Sequence, residues 1–121
     1  MSKIEVTFSN GRTVTRRTDR PYTHAWIVRV PYYAWNRETG EYTDQIEWTE
    51  HHGFALSLKG AQQSVRMMQP KHHRARNFRP TKQQKARKQF LIDAYNRDGW
   101  HEIALVMDWT FLDAPGNDDL N

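Results

Sequence analysis

Apolar and polar side chains alternate near both ends of this chain, and this two-residue period constrains the fold more than any other feature. Successive side chains of a strand point to opposite faces, so such alternation predicts strands with one buried face. It occurs over residues 3–8, where Ile4, Val6 and Phe8 would face inward, and over residues 101–111. Both ends of the chain are therefore predicted to be β-structure.

A hairpin is predicted to follow the first strand, because Asn10-Gly11 is a strong turn signal. A two-residue loop would pair Val6 with Thr15 and place Val14 on the wrong face. A three-residue loop with Gly11 in the left-handed conformation pairs Val6 with Val14 and keeps the apolar side chains together. We therefore expect the longer loop, with a second strand over the residues that follow it.

A second hairpin is predicted in the middle of the chain. Residues 24–30 are apolar on both faces, as in a central strand, and Pro31 is expected to limit pairing beyond it. After a polar turn, residues 41–50 form the expected partner strand. Its candidate inner-face residues are Tyr42, Ile46 and Trp48.

Two helices are predicted next. Ser57 is a plausible N-cap for a helix to about Gln69, which Pro70 ends. Its apolar stripe is Leu58, Ala61, Val65 and Met68.

The second predicted helix begins with a capping box, in which Thr81 and Gln84 satisfy each other's backbone amides. It would run to Asp98 and end at Gly99 in the left-handed conformation. Its expected apolar stripe is Ala86, Phe90 and Ala94, with Leu91 and Tyr95 beside it.

The element order predicts an α+β fold, with an antiparallel sheet of about five strands and two helices packed on one face. We expect a single domain over residues 1–113 and an acidic, disordered tail over residues 114–121. The last strand would point these side chains inward: Ile103, Leu105, Met107, Trp109 and Phe111.

The 121-residue chain has no cysteine, which excludes disulfide scaffolds, cysteine-based zinc sites, iron–sulfur centres and thiol catalysis. Its 15 aromatic residues argue against disorder. No apolar run is long enough to span a membrane. We expect a soluble, cytoplasmic protein without a cofactor.

Charge is strongly segmented along the chain. Residues 1–50 are neutral overall, residues 51–92 hold ten basic residues and no acidic one, and residues 93–121 hold one basic and seven acidic residues. A basic block of this kind attracts a polyanion or an acidic protein face, although it can also be neutralised by the acidic end of the same chain.

The basic block predicts a binding site for nucleic acid or another polyanion. Lysine and arginine neutralise phosphates, and an aromatic side chain among them can stack on a base. The segment runs into a helix N-terminus, which also favours phosphate. The candidate contacts are Lys71, His72, His73, Arg74, Arg76, Phe78, Arg79, Lys82, Lys85, Arg87 and Lys88.

Two alternatives are open. The first is a protein-binding modulator or inhibitor, of the kind that a phage or mobile element encodes, that docks its basic and aromatic surface on an acidic face of a host protein. The second is a small histidine-dependent hydrolase, since six histidines include the adjacent pairs His51-His52 and His72-His73. Metal-binding spacings and catalytic motifs are absent from the sequence, so we expect neither a metal nor an enzyme.

Overall fold

The structure is a computed structural model that describes residues 2–72 and 81–108. Four strands come first: β1 (Ser2–Thr7), β2 (Thr13–Thr18), β3 (His24–Asn36) and β4 (Glu41–Ala55). They are followed by α1 (Leu58–Met68), a 3-10 turn (Pro70–His72), α2 (Lys82–Asp98), β5 (Trp100–Leu105) and β6 (Met107–Asp108). The α+β class and the predicted element order are confirmed.

The strands form two sheets, so the prediction of one five-stranded sheet is wrong. One sheet has the order β2-β1-β6 and the other has the order β4-β3-β5. The division follows from a break in the last predicted strand. Val106 donates its amide to the Thr23 carbonyl at 2.9 Å, and the next two residues pair instead with β1, where Glu5 lies opposite Met107.

The first hairpin has the predicted register. Val6 lies opposite Val14, and the Phe8 amide donates to the Arg12 carbonyl at 2.8 Å. Gly11 has φ of 86°, the left-handed conformation that a side chain would disfavour. The three-residue loop, predicted because it keeps the apolar side chains on one face, is therefore confirmed.

Backbone contacts group the described residues into two compact units, the first of which comprises 2–27, 52–63 and 102–108. Its buried apolar side chains come from the first hairpin, from the start of β3, from the end of β4 and from α1: Ile4, Val6, Phe8, Val14, Ala25, Trp26, Ile27, Ala55 and Ala61. Alternation on β1 and β2 places one apolar row in this core.

The second unit comprises 28–51, 64–72 and 81–101. Its fully or nearly buried residues are Val28, Val30, Pro31, Ala34, Val65, Pro70 and Ala94. β3 continues without a break through Pro31 to Asn36. Pro31 therefore does not end the strand, and it is itself buried.

α2 begins as predicted and ends differently. The Thr81 side chain accepts from the Gln84 amide at 3.1 Å, and the Gln84 side chain accepts from the Thr81 amide at 2.9 Å. Gly99 is extended, with φ of −73° and ψ of 163°, so the prediction of a left-handed residue is wrong. Glycine is needed there for space, because a Cβ would lie 2.5 Å from the Tyr95 carbonyl oxygen.

The buried face of α2 also differs from the predicted stripe. Ala94 is buried as expected, whereas Ala86 and Phe90 are exposed. Arg87 and Leu91 are half-buried, and they share a face with Ala94 because they precede it by seven and three residues. An arginine therefore occupies a position that an apolar side chain usually takes.

Three further inward assignments are wrong. Tyr42 is 65% exposed, Leu105 is 71% exposed and Leu58 of the α1 stripe is 49% exposed, so none of them faces a core. The remaining predictions for residues after 108, including the inward Trp109 and Phe111 and the acidic tail 114–121, lie outside the described residues. No helix in the described part of the chain is long and apolar enough to cross a membrane.

Candidate nucleic-acid interface

Three lysines stand on the solvent side of α2. Lys82, Lys85 and Lys88 are exposed, and their three-residue spacing spreads them along about 9 Å of helix axis. They lie away from the face that Ala94 buries. Among the described residues, none of these three ammonium groups forms an ion pair. Three positive charges therefore face solvent on one rigid element.

The first turn of α2 carries no acidic residue. The helix dipole places partial positive charge at this end, so lysines here are electrostatically unfavourable unless an anion is bound. The capping box engages the Gln84 amide, which leaves fewer free backbone donors for a ligand. The lysine side chains, rather than the helix terminus, are therefore the groups that are available to an anion.

The 3-10 turn brings Lys71 to the same side of α2. Gln69, Pro70 and Lys71 line a cleft of about 410 Å³ together with Gln89 and Ile92 of the helix. Gln89 lies one turn beyond Lys85 and next to Lys88, so Lys71 joins the lysine face from a distant part of the sequence. We call Lys71, Lys82, Lys85 and Lys88 the lysine face.

The other predicted contacts fall in three places. His72 belongs to the 3-10 turn and is half-buried. Arg87 lies on the side of α2 that packs on the second hairpin, away from Lys82 and Lys85. The five remaining candidates lie outside the described residues: His73, Arg74, Arg76, Phe78 and Arg79.

Arg87 is engaged within the chain. Its guanidinium lies 4.2 Å from the centre of the Tyr33 ring, and it donates to the Asp44 carboxylate at 2.8 Å and to the Thr43 carbonyl at 3.0 Å. The Tyr33 hydroxyl in turn donates to the Arg87 carbonyl at 2.9 Å. These contacts hold α2 on the second hairpin, so we assign Arg87 to positioning rather than to phosphate binding.

An aromatic groove lies beside Arg87. It has a volume of about 540 Å³ and is lined by Pro31, Tyr32, Tyr33, Glu41, Tyr42, Arg87 and Leu91. At its edge, Trp35 packs edge-on against Tyr42, with ring centres 4.7 Å apart. These two rings are 52% and 65% exposed. Such exposure is unusual for large aromatics and marks contact surfaces.

Apart from Arg87, the residues that line the groove are not among the candidate contacts. The sequence does show the aromatic cluster, but burial in the sheet explains such a cluster equally well. Trp35 and Tyr42 lie near the tip of the second hairpin, close to the turn at residues 37–40. The clustering of aromatics next to a turn was the signal that pointed to them.

The described histidines do not assemble a metal site. No group of three or more histidine, aspartate or glutamate side chains with metal-binding geometry occurs within residues 2–72 and 81–108. His24 Nδ1 lies 2.7 Å from the Thr23 hydroxyl, and His101 Nδ1 lies 3.1 Å from the Tyr95 hydroxyl. These two rings are hydrogen-bonded to neighbouring side chains.

Tyrosine ionisation should destabilise this part of the protein. Burial raises the pKa of Tyr95 above its ordinary value of 10.0, and burial also raises the pKa of Tyr33, against the opposing effect of the Arg87 charge. The folded state thus favours the protonated phenols, so their contribution to stability is complete below about pH 10 and is lost as pH rises through the raised pKa values.

We expect the free energy of unfolding, measured by denaturant titration, to fall as the pH rises above about 10 and through the raised tyrosine pKa values. Tyr95→Phe should show a smaller fall over the same interval, because it has one fewer group to ionise. An equal fall in the two proteins would show that Tyr95 does not contribute to the pH dependence.

No protein-family description matches this sequence, and neither a curated protein nor a solved structure is significantly similar to the chain.

Proposed function

We propose that this protein binds nucleic acid without catalysing a reaction, and that the lysine face supplies its phosphate contacts. The observation that carries the proposal is the set of exposed lysines on α2, which have no ion-pair partner among the described residues. A cytoplasmic location is part of the proposal, since nucleic acids are accessible there.

Lysines on one face suit phosphate binding for an electrostatic reason. Each lysine that neutralises a phosphate releases condensed counterions, and this release drives association at low salt. An isolated basic run on a solvated surface would also bind weakly, but here Lys71 of the 3-10 turn lies beside α2, where it lines a cleft with Gln89 and Ile92 of that helix. Two segments that are separated in sequence therefore contribute basic residues to the surface around α2.

Fluorescence anisotropy with labelled duplex DNA, single-stranded DNA and single-stranded RNA tests the proposal. Four phosphate contacts predict that affinity falls by about two orders of magnitude as salt rises from about 50 to about 200 mM. Further contacts from residues 73–80 would steepen this dependence. Absence of binding to all three polymers at about 50 mM salt would overturn the proposal and leave an acidic protein surface as the partner to test.

A further inference from the structure

The aromatic groove is a separate feature from the lysine face, although α2 contributes to both. Arg87 and Leu91 line the groove. Lys88 is exposed and precedes Leu91 by three residues, so its side chain neighbours that of Leu91 on the helix surface and lies beside the groove. A polymer whose backbone lies along the lysine face would therefore pass the mouth of the groove.

Exposed rings make the groove suitable for stacking. Tyr42 is 65% exposed, Trp35 is 52% exposed and Tyr32 is 39% exposed. Trp35 holds Tyr42 edge-on, which fixes the ring in place and lowers the entropy lost when a ligand stacks on it. A flat aromatic ligand would gain contact area without displacing a buried side chain.

The charges in the groove favour a base over a phosphate. The positive charge of Arg87 is compensated by Asp44 at 2.8 Å, and Glu47 accepts a hydrogen bond from the Tyr32 hydroxyl at 2.8 Å. Glu41 also lines the groove, and its carboxylate has no hydrogen-bond or ion-pair partner among the described residues. A phosphate would be repelled here, whereas a carboxylate accepts hydrogen bonds from the amino group of a base.

We propose that the groove receives an unpaired nucleobase, which stacks on Tyr42 and donates its exocyclic amino group to Glu41 while Lys88 contacts the adjoining phosphate. The protein is then a single-strand binder that prefers amino-bearing bases such as cytosine over thymine. This inference rests on the proposed function for its phosphate contacts. Bases in a duplex are stacked and paired, and they cannot enter the groove without being extruded.

The test compares three labelled probes: a cytosine dodecamer, a thymine dodecamer and a twelve-base-pair duplex. Replacing both Trp35 and Tyr42 by alanine should weaken binding of the cytosine strand about tenfold or more and change duplex binding less than about twofold. Phe90→Ala is the matched control, because Phe90 is an aromatic residue on α2 that is 56% exposed and does not line the groove. It should leave the affinity for all three probes unchanged.

Two further readouts are specific to stacking and to the carboxylate. The cytosine strand should quench tryptophan emission in the wild type and quench it less in Trp35→Phe, which keeps an aromatic ring but removes that fluorophore. Glu41→Gln should reduce the preference for cytosine over thymine, because the amide of glutamine also donates to thymine.

The outcomes separate the two proposals. If none of the probes binds, the proposed function fails, and the inference fails with it. If the probes bind but the double alanine variant loses equally little affinity for the single strand and for the duplex, the groove does not take a base. The proposal that the lysine face binds phosphate would then stand alone. Both replaced rings are solvent-exposed, so we expect the variants to fold. Circular dichroism and denaturant titration check the folding of each variant.

Discussion

Replacing Lys82, Lys85 and Lys88 together by glutamine should lower the affinity for single-stranded DNA by about two to three orders of magnitude at about 50 mM salt. Three phosphate contacts are lost, and each contributes about 0.7 to the slope of log affinity against log salt. The measurement is an anisotropy titration at several salt concentrations. The slope of the variant should be shallower than that of the wild type by about two.

The triple variant should remain folded. Lysines near the N-terminus of a helix oppose its dipole, so removing Lys82 and Lys85 should leave the free energy of unfolding unchanged or raise it by about 0.3 kcal/mol or more for each residue. Loss of binding together with loss of stability would contradict this expectation, because it would mean that the lysines stabilise the fold.

A matched control removes the same charge from elsewhere. Arg17, Lys59 and Arg66 are all exposed and lie on β2 and α1. Their joint replacement by glutamine lowers the net charge by the same three units. If this control lost as much affinity as the first triple variant, binding would depend on net charge alone, and the lysine face would not be the site.

Arg87→Ala should show the opposite behaviour: a large loss of stability with little loss of duplex binding, because a duplex does not enter the groove that Arg87 lines. The variant removes the stack on Tyr33 and the hydrogen bonds to Thr43 and Asp44. Asp44 is 94% exposed, so the ion pair itself contributes little. The stack and the carbonyl contact together predict a decrease of about 2 kcal/mol in the free energy of unfolding.

Replacing the neighbouring residue Lys88 should affect binding rather than stability. Lys88→Ala should weaken binding about eightfold at about 50 mM salt and leave the free energy of unfolding nearly unchanged. Arg87→Lys tests geometry, since it keeps the charge but loses the planar fork, and it should recover only part of the stability. If Arg87→Ala lost as much affinity as Lys88→Ala, Arg87 would have to be counted among the phosphate contacts.

Features that depend on near neighbours in the chain were predictable from the sequence. The first hairpin has its predicted register because one buried row and one left-handed Gly11 leave a single acceptable loop. The capping box of Thr81 and Gln84 is also where the spacing places it. Both are local interactions over a few residues, so the sequence contains nearly all the information that determines them.

The side of α2 that faces inward could not be predicted from the sequence, because it depends on contacts with distant parts of the chain. Two pairs of residues in α2 are spaced so that they could face inward together with Ala94. One pair is Ala86 and Phe90, which the sequence favours because both are apolar, and the other is Arg87 and Leu91. The arginine lies inward because Tyr33 and Asp44, more than forty residues earlier in the chain, provide a ring and a carboxylate for it. A side chain with such partners is buried at little cost.

The sequence by itself determined the element order, the hairpin register, the helix start and the identity of the basic block. Six of the predicted contacts lie in the described residues: Lys71, His72, Lys82, Lys85, Arg87 and Lys88. Only the tertiary structure separated Arg87 from the lysines, brought Lys71 to α2 and exposed Trp35 and Tyr42. Charge and local hydrogen bonding are properties of neighbouring residues, whereas exposure depends on packing between segments distant in the chain.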